Sequence, residues 1–406
     1  MDPAGQQEER VIEAAVPVIV LESAAAGDAR VAGVPALARV LREYAAAGVR
    51  RVELLVEDGS TPGGGCRAEA ARLAPGLGID AVTADAAVGG TAFSGAHLIP
   101  ADTIRRFLTG PDECLVWSGR IVAAQGGPRV LGKAAQPDNL RAEDVIPLAP
   151  AAAATRTLLR RTAKASDGPV ARWLNRPVSQ HLSAAALRLP WLRPDHVTIL
   201  TALIAAAMFA CFVFGGPSAV VVGGILFHVA SVVDGVDGEI ARVTFRSSLR
   251  GAVLDMIVDR ATILAFFLGI SLAAGRLYGL KHGLIGLWGF AAAAIGVAIL
   301  SQVLRRLPPP RSYSVVTAQV RRWVPGGAGR AFVEAMNTLI SRDVFSFVLP
   351  VMIVLGRAWL VPWTFTAFTT VWLFVVLATV PAILRGAPIA VPPAEPRPTT
   401  EAARPA

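Results

Sequence analysis

Apolar positions change their rhythm once along this chain. Up to about residue 150 the apolar runs are short and alternate between strand and helix spacing. Val16–Leu21 and Val52–Val56 are continuous runs of strand length, Ala81–Ala84 is a shorter one, and Cys114–Ala124 is strand-like throughout. Between them, Val34–Ala47, Cys66–Leu77 and Ala101–Leu108 repeat apolar residues at helical spacing. Strands alternating with helices bury a sheet from both faces, so residues 1–150 are predicted to form a doubly wound, Rossmann-like α/β domain with a mostly parallel sheet.

Beyond residue 166 the apolar runs lengthen. Val197–Phe214, Ala219–Val233, Ala252–Ala274, Gly283–Val303, Val344–Leu360 and Trp363–Leu384 approach or exceed the roughly 20 residues that a spanning helix needs. The second is short if cut at Asp234, and its helix is expected to run on to about Arg242. Residues 166–385 are therefore predicted to be an all-α domain of six transmembrane helices, with both ends on one side of the bilayer. An amphipathic segment precedes it: Val170, Trp173, Leu174 and Val178 fall on one side, Arg172 and Arg176 on another. Such a helix is expected to lie in the interface with its tryptophan at headgroup level. Residues 151–165 are rich in alanine and basic side chains and read as a linker, and the Pro- and Ala-rich tail 386–406 reads as disordered.

Composition agrees with two parts. At 406 residues and 53% hydrophobic the chain is too apolar for one soluble protein, yet its front is too charged for the membrane. The net charge is +9, and no basic stripe with interleaved aromatics points to nucleic acid. Arginine instead follows the loops. Arg242, Arg246, Arg250, Arg305, Arg306, Arg311, Arg321, Arg322, Arg330, Arg342 and Arg385 fall at one set of helix ends, against Arg276, Lys281 and Arg357 at the other. The positive-inside rule puts the first set, and the front domain with it, in the cytoplasm, with the chain in the cell (inner) membrane. Cys66, Cys114 and Cys211 are too scattered for a disulfide framework or a zinc site.

The chemistry concentrates between the second and third spans. Asp234 and Asp237 stand three apart and Asp255 and Asp259 four apart, so each pair shares a helix face. A carboxylate at the bilayer centre costs about 2.5–3.5 kcal/mol, and four together call for a positive partner. Hard oxygen donors suit Mg²⁺ or Mn²⁺, as one ion or two. Gly238, Ala241 and Gly251 leave room for a ligand or a neighbouring helix. The alternatives are acidic helix ends facing water, or a transporter with a buried acidic site.

These residues read D-x-x-D-G-x-x-A-R-x8-G-x-x-x-D-x-x-x-D from Asp234 to Asp259, and the stretch resembles the signature of the CDP-alcohol phosphotransferases at all eight fixed positions. Two further segments are similar to that family. Asp167-Gly168, Arg172, Asn175-Arg176 and Ser179 follow its pattern before the first span. Pro194-Asp195-His196-Val197-Thr198 has Asp195 where the family usually has asparagine. The resemblance implies transfer of a phosphoalcohol group from a CDP-alcohol to an acceptor hydroxyl, with release of CMP. It makes Asp234, Asp237 and Asp255 metal ligands, Asp259 the general base and a further metal ligand, and Gly238, Ala241, Arg242, Gly251 and Thr198 donor-binding residues. It also implies a homodimer formed through the transmembrane domain. Arg342-Asp343-Val344-Phe345 is similar to a segment of the inositol phosphodiester branch, where Arg342 would hold an acceptor phosphate.

In the front domain, Ala24–Arg30, Gly33–Leu37 and Ala47-Gly48-Val49 resemble the start of a sugar-nucleotidyltransferase, as in enzymes that make CDP-inositol and then di-myo-inositol phosphate phosphate. The loop is short, and no lysine lies between Met1 and Gly132. This half is therefore expected to be degenerate, the alternative being a bifunctional enzyme that makes its own CDP-alcohol from CTP. Asp85 and Asp102 are read as loop or capping residues, His97 and His228 as packing residues, and Gly63-Gly64-Gly65 as a flexible connection.

Overall fold

A computed structural model describes residues 16–84, 90–135, 137–141, 143–164, 167–306, 319–320, 323, 326–327 and 342–385. The tail 386–406, Asp85, and Arg311, Arg321, Arg322 and Arg330 lie outside the described residues. The chain divides into two compact units. One gathers Met1–Ala163, Gln180–Pro194 and Gly238–Ser247; the other gathers Lys164–Ser179, Asp195–Asp237 and Ser248–Ala406.

The first unit is an α/β layer. In chain order it contains β1 (Val18–Leu21), α1 (Ala24–Asp28), β2 (Arg30–Val31), β3 (Val34–Pro35), α2 (Ala36–Ala46), β4 (Arg51–Val56), α3 (Gly64–Leu73), β5 (Gly78–Val82), β6 (Ala92–Ser94), β7 (His97–Leu98), α4 (Ala101–Thr109), β8 (Cys114–Trp117), β9 (Arg120–Ala124), β10 (Ile146–Pro147) and α5 (Ala151–Arg160). The main sheet has six strands in the order β5-β4-β1-β6-β9-β8. The first four are parallel, with Val18 level with Glu53 on one side and Ala92 on the other. β9 then runs antiparallel to both β6 and β8.

The predicted single strand over Cys114–Ala124 is thus a hairpin. Ser118 and Gly119 turn it with φ of 53° and 72°, the left-handed pair that a two-residue loop requires. The Asp138 carboxylate accepts both of their amides, at 3.0 and 2.8 Å. Helix α2 presents Leu37, Val40, Leu41 and Tyr44 to the core, where Phe93 stands edge-on between Tyr44 and Phe107.

Residues 151–165 require a correction. Their alanines and arginines read as a linker, but α5 occupies most of the segment and buries Ala154 and Leu159. The Thr155 hydroxyl accepts the Ala32 amide at 2.8 Å. Gly63-Gly64-Gly65 is also no loose connection, because Gly63 is the N-cap of α3 and Gly64 and Gly65 open the helix. Asp102 sits in the first turn of α4, where a carboxylate meets the positive end of the helix dipole.

Helix α6 (Arg176–Ala186) bridges the two units along the chain, as does α8 (Pro217–Val243). The second unit is helical, with α7 (Pro194–Phe214) and α8, then α9 (Leu249–Tyr278), α10 (Leu280–Arg306), α11 (Arg342–Val354) and α12 (Val361–Leu384). Five described helices are long and apolar enough to cross a membrane: α7, α8, α9, α10 and the stretch Ala358–Leu384. The fifth predicted span, Val344–Leu360, is described as the shorter apolar helix α11, which ends at Val354 ahead of Gly356, whose φ is 74°. Phenylalanines fill the centre: Phe227 stacks on Phe266 at 3.9 Å and Phe267 on Phe365 at 3.5 Å. Arg276, near the end of α9, closes off α7 by donating to the carbonyls of Phe212 at 3.0 Å and Gly215 at 2.6 Å. His228 packs beside Phe347, its Nδ1 3.2 Å from the Ser346 carbonyl.

Candidate active site

Helix α8 runs unbroken through Asp234, Asp237, Gly238, Ala241 and Arg242. The first two lie three residues apart, on one side of the helix. Thr244 then folds its hydroxyl back onto the Ile240 carbonyl at 2.7 Å, and Phe245 turns the chain with φ of 54°. Ser248 restarts the helix, its hydroxyl accepting the Gly251 amide at 3.0 Å as an N-cap. Asp255 and Asp259 follow on one face of α9. The chain therefore folds as helix, turn and helix, with one carboxylate pair on each arm.

Asp237 is buried, and the Thr198 hydroxyl of α7 donates to its Oδ2 at 2.6 Å. The hydrogen bond fixes its rotamer. Asp234, Asp255 and Asp259 are half-buried. Gly251 is small for a visible reason: a Cβ there would lie 3.0 Å from Ser248 Oγ and 3.4 Å from Asp195 Oδ1. At Gly238 a Cβ would come within 3.0 Å of the Arg242 guanidinium, which lies over that glycine. The two residues thus form one surface of small backbone and positive charge. Arg342 is the first residue of α11, and its side chain lies outside the described positions.

Sequence reasoning missed two acids. Glu239 is fully buried inside the motif and accepts a hydrogen bond from Ser183 at 2.6 Å. Its signal was present, as an acid one residue past Gly238 in an apolar helix. Asp343 accepts the Val170 amide at 2.9 Å, and Gly168 leaves it room, since a Cβ there would sit 2.2 Å from its carboxylate.

The Asp167/Arg176 spacing ahead of α7 is explained by a two-pronged ion pair, with Arg176 reaching the Asp167 carboxylate at 2.8 and 2.9 Å. Burial pushes that carboxyl up, but the Arg176 guanidinium together with the Lys164 amide and charge holds it below its usual value. Stability from a lowered carboxyl is fully present above the unfolded value of about 3.9 and is lost as pH falls through the folded one. Asp167→Asn is expected to cost about 1–3 kcal/mol at pH 7, the usual worth of a hydrogen bond to a charged group. Thermal unfolding should show the gap to the unsubstituted protein closing below about pH 4.

By donor type the four aspartates fit a divalent cation. Among the described residues, no group of three or more His, Cys, Asp or Glu is set to hold a metal ion.

The family model for CDP-alcohol phosphatidyltransferase matches residues 191–320, a stretch that holds Thr198 and all eight motif positions. Residues 191–320, about a third of the chain, are thus similar to that family. A protein of Rubrobacter xylanophilus named bifunctional IPC transferase and DIPP synthase is 36% identical over 146 residues, 36% of this chain and 33% of the relative. A protein of the same name from Archaeoglobus fulgidus is 34% identical over 120 residues, 29% and 23% of the two chains. The archaetidylinositol phosphate synthase of Methanothermobacter thermautotrophicus is 29% identical over 119 residues, 29% of this chain and 54% of the relative. The match thus spans a third or less of these two bifunctional relatives. The matched residues take in α7, α8 and α9, the helices that carry Thr198 and the two aspartate pairs.

Proposed function

We propose that this chain is an integral-membrane CDP-alcohol phosphotransferase. It would move a phosphoalcohol group from a donor of the CDP-diacylglycerol or CDP-inositol type to an acceptor hydroxyl. One observation carries the reading: all eight motif positions fall on the α8–turn–α9 unit, inside the matched residues. In the reaction the acceptor oxygen bonds to the donor's β-phosphorus, the bond from that phosphorus to CMP breaks, and the acceptor proton passes to Asp259. Asp259 works as the general base, Arg242 answers phosphate charge, and Thr198 holds Asp237 in place. Mg²⁺ or Mn²⁺ on Asp234, Asp237, Asp255 and Asp259 would supply charge neutralisation for the pyrophosphate. Gly238, Ala241 and Gly251, small at each position, would leave room for the cytidine, and Arg342 would take an acceptor phosphate.

The remaining features of this reading are a multi-pass chain in the inner membrane, with the aspartates and front domain facing the cytoplasm, and a homodimer formed through its transmembrane helices. Trp173 is 80% exposed beside exposed Leu174 and Val178, which supports an interfacial segment there. The names of the relatives favour an inositol phosphate among the acceptors.

The front domain is proposed to make no CDP-alcohol. Where the nucleotidyltransferases it resembles carry a glycine-rich loop for a triphosphate, this chain folds the short helix α1 and meets the nearby amides itself. Ser60 Oγ accepts the Ala24 amide at 2.8 Å, and the Asp28 carboxylate takes the Gly63 amide at 2.9 and 3.0 Å. A fixed carboxylate repels a phosphate that seeks the same amide.

Purified full-length protein is expected to release CMP from CDP-diacylglycerol or CDP-inositol when screened against glycerol phosphate, inositol and inositol phosphate. Chelating the metal should stop release, and added Mg²⁺ or Mn²⁺ should restore it. Absence of CMP with both donors and every acceptor would overturn the reading. Pyrophosphate release from CTP and inositol 1-phosphate would overturn the inactive front domain and favour the bifunctional alternative.

A further inference from the structure

The turn that joins α8 to α9 is gripped by the α/β layer of the first unit. Arg72 of α3 donates to the carbonyls of Phe245 at 3.1 Å and Thr244 at 3.0 Å. Arg39 of α2 reaches the Val243 carbonyl at 2.5 Å. Glu69, already paired with Arg72 at 2.6 Å, also binds Arg246 at 2.9 Å. The Arg42 guanidinium lies 4.1 Å from the centre of the Phe245 ring, and that of Arg39 lies 5.3 Å away. All of these groups belong to one compact unit, which includes Gly238–Ser247.

The chemistry of the grip is specific. The last carbonyls of a helix carry the negative end of its dipole and have no partner within the helix. Arg39 and Arg72 supply charged donors to three carbonyls in succession, that of Val243 at the end of α8 and those of Thr244 and Phe245 just past it. Phe245, left-handed and covered by cations, cannot leave its place without giving up both contacts. A turn of this kind in open solvent would fray.

We propose that this clamp is a positioning device for the phosphotransferase. By chain continuity the clamped residues lie between Asp237 and Asp255, so holding them limits how the two carboxylate pairs can be set against each other. The front domain then serves the reaction as a brace, through Glu69, Arg72 and Arg246, while carrying no substrate. This inference rests on the phosphotransferase reading above.

The test uses full-length protein in detergent or bilayers, with CMP release as the rate and amide hydrogen exchange over residues 243–250 as the structural readout. Arg72 and Arg246 are each 36% exposed, so truncating either leaves the core intact. Arg72→Ala is expected to lower kcat about tenfold to a hundredfold, as misplaced catalytic groups do, with the KM for the CDP-alcohol little changed. Exchange over the turn should quicken, and the Mg²⁺ concentration for half-maximal rate should rise. Arg72→Lys keeps one donor and should recover part of the rate, and Arg246→Ala should act in the same direction with a smaller loss.

An unchanged kcat in Arg72→Ala overturns the proposal, whether or not exchange quickens. A parallel loss of rate and of thermal stability throughout the first unit also overturns it, because that is general unfolding. A silent unsubstituted protein is a different failure. It sinks the phosphotransferase reading itself, and is told apart from a failed clamp by the missing CMP in the parent.

Discussion

Asp259→Asn is expected to abolish CMP release, with a loss on the order of a thousandfold or more, while the helices remain folded. Asparagine keeps the shape of the side chain and removes its charge and its capacity to take a proton. A positioned general base contributes typically 10²–10⁴-fold, and losing a proposed metal ligand adds to that. Asp259 lies on α9 among half-buried positions, where the neutral amide is no harder to bury than the carboxylate. Helix content and elution volume should therefore match the parent while the rate collapses. The comparison variant is Asp102→Asn, in the first turn of α4, which should leave the rate unchanged. Normal turnover in Asp259→Asn would refute its assignment as the base.

Arg39→Met should be the most damaging single change to the first unit, at about 3–5 kcal/mol, the range for removing one member of a buried charged network. Arg39 is 1% exposed and donates to the carbonyls of Val31 at 2.7 Å, Ala32 at 2.9 Å and Val243 at 2.5 Å. Methionine fills much of the volume but leaves all three acceptors buried without that donor. Burial, helped by the nearby Arg42 charge, lowers the Arg39 pKa to about 9, so the residue is still charged at neutral pH. Above that value the unfolded chain binds the extra proton, so the site's contribution to stability rises with pH until the unfolded arginine also titrates. Chemical denaturation followed by hydrogen exchange in β1, β4 and α2 measures the effect. A midpoint within error of the parent would show that water replaces the guanidinium at no cost.

The order of strands and helices in the front domain was legible because each run has one period. β6 was not: three residues, Ala92–Ser94, held between Gly90-Thr91 and Gly95, carry no pattern of their own. They form a strand only because β1 and β9 flank them. Helix α5 was hidden by composition, since alanine is apolar enough to pack and small enough to read as linker. The end of the helix in the fifth predicted span was not legible, because hydropathy averages across Gly356 and does not register where a helix stops. The aspartate motif was the clearest part of the chain, because helical spacing ties four acids to two faces. Ser183 with Glu239, 56 residues apart, could not be paired from the chain alone, as no local rhythm joins them.

Arg276 has a consequence for how the bundle is stitched. It fastens the carbonyl end of α7 to the far end of α9, while at the other end of α7 the Thr198 hydroxyl ties it to α8. Helix α7 is thereby sewn to a different neighbour at each of its ends, so losing either thread would loosen one end of it and leave the other held.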